Sequence, residues 1–280
     1  MAQNVTTAFV TLFESEVKQA YQAESVLRGT MRTRTNVQGN TVKFPKIGKG
    51  VATVRVPQTD VTPLNVTYAQ VTASMTDYIA AEYSDIFQQS HINFDERREL
   101  VQVVSKSIAR RLDQLCIDAM IGNAGTTIAT GVGGATTNMN IEKLRATANA
   151  MNANNVPAEG RYLLMHASQL DSLLGDQEVT SSDFNTVKAL VRGEVSSFMG
   201  FNFITMGNRD EGGIPKAAAL RNCFAWHKDA MGYAESMAQR TEVSYIPEKT
   251  SFLVSSMFSA ASVAIDSEGI IQVNCTEPGS

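Results

Sequence analysis

The sequence has few of the residues that build metal, redox or nucleophilic sites. It contains 3 cysteines and 3 histidines, without C-x-x-C, H-x-x-x-H or H-x-H spacing, and it lacks a G-x-S-x-G motif. Cys116, Cys223 and Cys275 are odd in number and far apart, which indicates a reducing compartment. We therefore predict no metal, no cofactor and no catalytic residue.

Long apolar segments are also missing. No uninterrupted run reaches about 18 apolar residues, and the N-terminus lacks a basic segment followed by a long apolar stretch. The sequence therefore predicts a soluble protein that does not contact membranes and carries no signal peptide.

The overall charge is weakly negative. A net charge of -4 and a pI near 5.5 argue against a dedicated nucleic-acid-binding domain, which is normally strongly basic. The hydrophobic content of 43% in 280 residues supports a folded core in one large domain or two modest ones.

One segment is strongly basic, although the chain as a whole is weakly negative. The β-prone stretch from Arg28 to Val71 has no acidic residue between Arg28 and Arg55, where its basic residues are Arg28, Arg32, Arg34, Lys43, Lys46, Lys49 and Arg55. An isolated hairpin is only marginally stable in water, so this segment needs a surface to lie on. Phe44 is the single aromatic residue among these charges, which favours an acidic protein surface over stacked nucleic-acid bases.

Local patterns predict the first elements. Helical spacing of apolar residues begins after Thr7, and the polar stretch Met31–Asn36 is expected to be an extended linker. Strands are predicted at Val42 and Phe44, at Val51–Val56 and at Val66–Met75, around a loop tip at Pro57–Leu64.

The clearest element is a long helix from about Asp95 to Met120. Asp95 is its expected N-cap, and apolar residues at helical spacing form one stripe: Leu100, Val104, Ile108, Leu112, Leu115 and Ala119. At about 1.5 Å per residue the helix would span roughly 39 Å. Cys116 beside this stripe is interpreted as a packed thiol.

The remainder is mixed and then becomes β-rich. The Gly- and Thr-rich stretch 122–138 is predicted to be a loop, and its Gly131–Gly134 segment lacks the Lys-Ser/Thr ending of a phosphate-binding loop. Predicted helices cover 141–151, 168–174 and 184–191; predicted strands cover 162–165, 201–205, 223–226 and several segments of 242–273.

Several local patterns, in this order, resemble the major capsid proteins of tailed bacteriophages with the Hong Kong 97-type fold, especially those of short-tailed phages. They are the helix around Glu16-Val17, Gly39-x-x-x-x-Phe44-Pro45-x-x-Gly48, the long helix, Val156-Pro157-x-x-x-Arg161-Tyr162-Leu163-Leu164, Met199-Gly200-Phe201, and Ala225-Trp226-His227-Lys228-Asp229-Ala230. Together they cover nearly the whole chain.

The resemblance implies an α+β fold of four parts. These are an N-terminal arm, an extended β-hairpin loop, a peripheral domain built on the long spine helix, and an α/β axial domain. Their expected ranges are 1–36 for the arm, 37–78 for the extended loop, 79–123 with 241–280 for the peripheral domain, and 124–240 for the axial domain.

The resemblance also implies a non-enzymatic function. The chain would form hexamers and pentamers of an icosahedral shell that encloses double-stranded DNA without sequence-specific binding. Assembly would take place in the host bacterial cytoplasm with a portal and a separate scaffolding protein, and the product would be the virion capsid. The expected contacts between subunits come from the arm and the extended loop: Arg32, Arg34, Lys43, Phe44, Lys46, Lys49, Arg55, Pro57 and Pro63.

Two alternatives remain open at this point. An encapsulin-like cellular nanocompartment shares the fold but encloses enzymes. A small soluble hydrolase would use one of the scattered serine or cysteine residues, and it would be active as a monomer.

Overall fold

A computed structural model describes residues 24–61, 63–91, 95–175, 197–209 and 211–277. The helices expected after Thr7 and at 184–191 lie outside these residues. Two β-sheets, each with helices packed against it, form the body of the subunit, and a two-stranded hairpin extends from it.

The first sheet packs against one long helix. It has four strands in the order β1 (Arg32–Arg34), β11 (Met231–Ile246), β12 (Ser251–Ala264) and β4 (Thr76–Asp85). Helix α2 (Glu96–Met120) lies across β12 and β4, which confirms the predicted long helix.

Part of the predicted stripe faces this sheet. Val104, Ile108 and Leu112 are buried, and Cys116 is fully buried beside them. Burial, reinforced by the charge of Asp113, raises the pKa of the Cys116 thiol to about 12, so the packed-thiol interpretation is confirmed. Asp95 occupies the N-cap position, but its side chain makes no capping hydrogen bond.

The second sheet forms the other half of the body. Its strands follow the order β5 (Thr126–Ile128), β13 (Ile270–Thr276), β10 (Leu220–His227), β6 (Arg161–His166), β8 (Phe201–Met206) and β7 (Ser197–Phe198), and β9 (Lys216–Ala217) pairs with the start of β10. Helices α3 (Ile141–Ala153) and α4 (Ala167–Leu174) contact this sheet. Asn140 accepts a hydrogen bond from the Lys143 amide at 2.8 Å and thereby caps α3.

The hairpin consists of β2 (Thr41–Ile47) and β3 (Tyr68–Ser74), which pair antiparallel from Thr41↔Ser74 to Ile47↔Tyr68. Strand β3 continues almost directly into β4, and the short helix α1 (Ile86–His91) follows β4. The hairpin therefore branches from the edge of the four-stranded sheet.

The polar stretch Met31–Asn36 is not the linker that we expected. Its centre is strand β1, which pairs parallel to β11 from Arg32↔Gly232 to Arg34↔Ala234. Buried Asp113 of α2 holds the preceding residues, because its carboxylate accepts hydrogen bonds from Ser25 Oγ at 2.8 Å and Leu27 N at 3.2 Å. The arm is therefore bound to the body from Ser25 onward.

Three other predictions need correction. Val51–Val56 is not a strand, because it has no pairing partner within the described chain. The stretch 122–138 contains β5, which pairs parallel to β13, so it is not entirely a loop. The β-rich tail begins at Met231 rather than near Glu242, because β11 is longer than its apolar pattern indicated.

The sheet topology also bears on the domain division. Strand β13 lies in the seven-stranded sheet, although its range falls in the expected 241–280 part of the peripheral domain. The first half of β11 lies in the four-stranded sheet, although it falls in the expected axial range 124–240.

Candidate assembly surfaces

The base of the hairpin is attached to its own subunit by an apolar cluster. The Phe44 ring is fully buried among Val42, Ala73, Ala234, Ala261 and Ile265. Gly232 allows this close contact, since a Cβ atom there would lie 2.9 Å from Phe44 Cζ and 3.1 Å from Ile265 Cδ1. Phe44 is therefore a core residue of its own chain in this structure.

Two lysines at the end of the hairpin base bind carboxylates of the same chain. Lys46 Nζ lies 2.8 Å from Asp266 Oδ1, and Lys49 Nζ lies 2.6 Å from Glu268 Oε2. The hydrogen bond to Glu268, together with its negative charge, raises the pKa of Lys49. Part of the acidic surface that the basic segment needs is therefore supplied by the turn before β13.

A cleft of about 310 Å³ lies beside these ion pairs. Its lining includes Lys49, Asn154, His227, Asp266 and Glu268, so it lies between the hairpin base and residues around the seven-stranded sheet. Lys49, Asp266 and Glu268 of the two ion pairs are among the residues that line this cleft.

Exchanging the charges of one pair tests whether that pair orients the hairpin. We expect Lys49→Glu and Glu268→Lys each to broaden the distribution of distances between spin labels at Thr59 and Asn149 in the unassembled subunit. The double variant should restore the narrow distribution, because the opposite charges face each other again. Identical distributions in all four proteins would contradict a role of this pair in orienting the hairpin.

The loop beyond the base, residues 48–67, is the hairpin loop. It exposes apolar side chains, with Val51 82%, Val54 92% and Val61 89% accessible, and Val56 and Leu64 also exposed. Among the described residues of this loop, one backbone hydrogen bond joins the two arms, from Gly48 N to Thr67 O at 2.8 Å. Such a concentration of exposed apolar residues indicates a protein-binding surface.

A second apolar surface lies on the four-stranded sheet. Tyr78 and Phe258 stack with ring centroids 5.2 Å apart on the side that faces α2. Because side chains alternate along a strand, the next residues point to the opposite side. This open face carries Ile79, which is 68% exposed, Tyr83, which is 42% exposed, and the partly buried Leu253 and Met257.

The remaining predicted contact residues lie on the hairpin and on β1. Arg32, Lys43, Arg55, Pro57 and Pro63 are exposed. Arg34 is also exposed; its guanidinium carbon lies 5.5 Å from the centre of the Phe44 ring, and its Nη1 donates to Lys43 O at 3.3 Å. The structure thus brings Arg34, Lys43 and Phe44 together and leaves Arg55, Pro57 and Pro63 on the hairpin loop.

A buried charge network near the end of the chain gave no signal in the sequence. Glu277 accepts from Arg221 Nε at 2.8 Å and from Ser168 Oγ at 2.5 Å, and Lys216 Nζ lies 2.5 Å from it. Burial alone would raise the pKa of Glu277, but hydrogen bonds from Lys216, Ser168 and Arg221 outweigh it and lower that pKa strongly.

The nearby His166 belongs to the same network. Burial and the charge of Arg221 lower its pKa, although Glu277 acts in the opposite direction. A neutral ring can accept the hydrogen bond from Ser168 N to His166 Nδ1, which measures 3.2 Å and caps α4. This polar network fastens the end of β13 to α4 and β10.

We expect Glu277→Gln to lower the free energy of unfolding by about 3–5 kcal/mol, because it leaves the buried Arg221 without its carboxylate. A folded-state pKa below the unfolded value gives stability that is present above about pH 4.5 and lost as the pH falls. Thermal unfolding across acid pH measures both effects. The exposed Glu248→Gln is the control, and an equal loss in both variants would contradict the assignment.

We also searched the described ranges for metal sites and for membrane-spanning helices. No three histidine, cysteine, aspartate or glutamate side chains there lie close enough together to hold a metal ion. None of the helices in those ranges is long and apolar enough to cross a membrane.

Comparisons with solved structures place this architecture among phage capsids. The chain is similar to the capsid protein of cyanophage P-SCSP1u, with 16% identity, a TM-score of 0.76 and coverage of 99% of this chain and 96% of that one. It is also similar to the acid-stable capsid of Helicobacter pylori bacteriophage KHP30, with 12% identity, a TM-score of 0.77 and coverage of 98% of this chain and 97% of that one. The similarity to the capsid of Ralstonia phage GP4 has 13% identity, a TM-score of 0.72 and coverage of 97% of this chain and 96% of that one. The fold is of the Hong Kong 97 type.

The sequence comparisons give the family. A search of curated proteins finds no match. The sequence model of the phage capsid protein family, in contrast, matches residues 5–277. These matches do not favour the alternative of a cellular nanocompartment shell. The chain, with its exposed hairpin loop and open sheet face, belongs to the phage capsid protein family.

Proposed function

We propose that copies of this capsid protein form the hexamers and pentamers of an icosahedral shell around double-stranded DNA, and that the hairpin loop joins neighbouring copies. The observation that carries this proposal is the pair of exposed apolar surfaces on one chain. One is the hairpin loop, and the other is the open face of the four-stranded sheet.

The two surfaces favour a head-to-tail arrangement. They lie on different parts of the subunit, so a contact between them uses a different patch on each partner. A heterologous contact of this kind generates rings when its rotation closes, which is what hexamers and pentamers require. Burying Val54 and Val61 of one copy against Ile79 and Tyr83 of the next removes apolar area from water on both sides.

Membership of the phage capsid protein family suggests further partners in assembly. We infer that a portal and a separate scaffolding protein take part in assembly, and that the shell forms in the host bacterial cytoplasm. The net charge of -4 suits a container that holds DNA without binding it tightly. We also infer that the protein has no catalytic activity of its own, because its family is structural.

The two sheets favour a division of the subunit that differs from the expected ranges at β11 and β13. We propose that the four-stranded sheet with α2 forms the peripheral domain and that the seven-stranded sheet with α3 and α4 forms the axial domain. The arm then continues through β1, and the extended loop comprises β2, the hairpin loop and β3.

Ile79→Asp on the open face tests the proposed contact. We expect the variant to remain folded, because Ile79 is 68% exposed, but to lose shells in electron micrographs, because the buried carboxylate would have no partner. Gln102→Asp, at an exposed position of α2, is the matched control and should assemble normally. Normal shells from Ile79→Asp would overturn the proposed use of the open face.

A further inference from the structure

Strand β4 is an edge strand that is paired on one side only in the described ranges. It pairs with β12 from Thr76↔Ala260 to Asp85↔Ser251, and no strand in the described ranges pairs with its other side. The backbone N–H and C=O groups on that side need partners or water. Natural proteins usually place charges, proline or a bulge on a long edge; β4 carries Asp77, Glu82 and Asp85, but its central residues 78–81 are the uncharged Tyr-Ile-Ala-Ala. This edge can therefore accept another strand.

The hairpin loop contains a segment that favours a strand but has no partner strand in the described subunit. Val51–Val56 has the sequence Val-Ala-Thr-Val-Arg-Val, which is rich in β-branched residues and strongly favours a strand. In the structure it is exposed throughout and belongs to no sheet. A strand-forming segment without a partner and an edge without a partner thus occur on the same chain.

The side chains of the two segments match in one antiparallel register. When Arg55 lies opposite Glu82, Val54 lies opposite Tyr83 and Val56 opposite Ala81. Opposite charges and a β-branched residue beside an aromatic one are both favourable cross-strand pairs. Val54 and Val56 then extend the apolar open face, because residues directly opposite each other share one side of the sheet.

The register also explains where the added strand ends. Pro57 follows Val56 directly, and proline is disfavoured within strands. We propose that Val51–Val56 of one copy adds antiparallel to β4 of the next copy as a fifth strand, with Arg55 opposite Glu82. The proposal rests on the proposed shell function and specifies the backbone contact within it.

Cysteine pairs test the register in assembled shells. Val56→Cys combined with Ala81→Cys places two thiols directly opposite each other, so mild oxidation should produce a ladder of disulfide-linked oligomers on a non-reducing gel. Val56→Cys combined with Tyr83→Cys is the matched control, and the ladder should be lost there. The native Cys116, Cys223 and Cys275 are buried and do not compete.

The outcomes separate this proposal from the proposed function. Shells that give no ladder with the first pair, or a stronger ladder with the control pair, overturn the register while the shell function stands. Failure of the unmodified chain to form shells overturns the shell function itself.

Hydrogen exchange on unmodified shells keeps the test independent of the variants. Amides at alternate positions of residues 51–56 should be protected in shells, because an added edge strand pairs on one side only, and all six should exchange rapidly in the unassembled protein. The amides of residues 58–61 should exchange rapidly in both. Equal exchange of residues 51–56 in both states would overturn the added strand.

Discussion

Deleting Pro57–Asn65 is expected to abolish closed shells while leaving the subunit folded. The described residues of this segment are exposed or nearly so and belong to no sheet, so their loss removes little from the core. The deletion does remove Val61 and Leu64, whose apolar side chains are 89% and 56% exposed in the described subunit. Circular dichroism should show nearly unchanged helical content, and electron micrographs should show no closed particles.

The internal control for this deletion is the hairpin base. The Thr41–Ile47 and Tyr68–Ser74 strands, with Phe44 in its apolar cluster, lie outside the deleted segment. A folded but unassembled protein would therefore assign the defect to the hairpin loop. Normal particles formed by the deletion variant would show that this loop is not required for assembly.

Phe44→Ala is expected to cause the largest loss of stability among single substitutions in the hairpin. The ring is fully buried against Gly232 and Ile265, so its truncation leaves a cavity between the hairpin and β11. Large-to-small changes of this kind lower the free energy of unfolding by about 3–5 kcal/mol. Denaturant unfolding of the unassembled subunit measures the loss.

Tyr68→Ala is the comparison for that substitution. Tyr68 is also an aromatic residue of the hairpin but is 80% exposed, so its truncation should change the free energy of unfolding by less than about 0.5 kcal/mol. Equal effects of the two substitutions would mean that the Phe44 cluster does not attach the hairpin to the body.

Helix α2 could be predicted because the pattern that indicates it lies within one continuous segment of the sequence. Val104, Ile108 and Leu112 recur at helical spacing over one long segment, and they face the sheet as the pattern predicts. The buried strands β6, β8 and β10 were found for a similar reason, since each is a short apolar run. Fold class followed from these elements and from the order of the family motifs.

Long-range contacts explain the predictions that were wrong. Arg32–Arg34 is polar, yet it forms a strand because β11 offers a parallel edge about 200 residues later in the chain. Val51–Val56 has strand-forming side chains but no partner within the described subunit, because propensity alone does not form a strand. Neither outcome could be predicted from spacing.

The assembly surfaces were only partly predictable. The absence of acidic residues near Lys46 and Lys49 indicated that these lysines need an acidic surface, which we expected on a neighbouring copy. It could not indicate Asp266 and Glu268 of the same chain, which approach only through the fold. The open face was missed altogether, because the exposure of Ile79 depends on which side of the sheet α2 covers.

Negative-stain electron microscopy of the purified full chain shows whether copies of this protein assemble. We expect closed icosahedral shells, or free hexamers and pentamers that close into shells when a scaffolding protein is added. A population that remains monomeric under both conditions would contradict the proposed shell function.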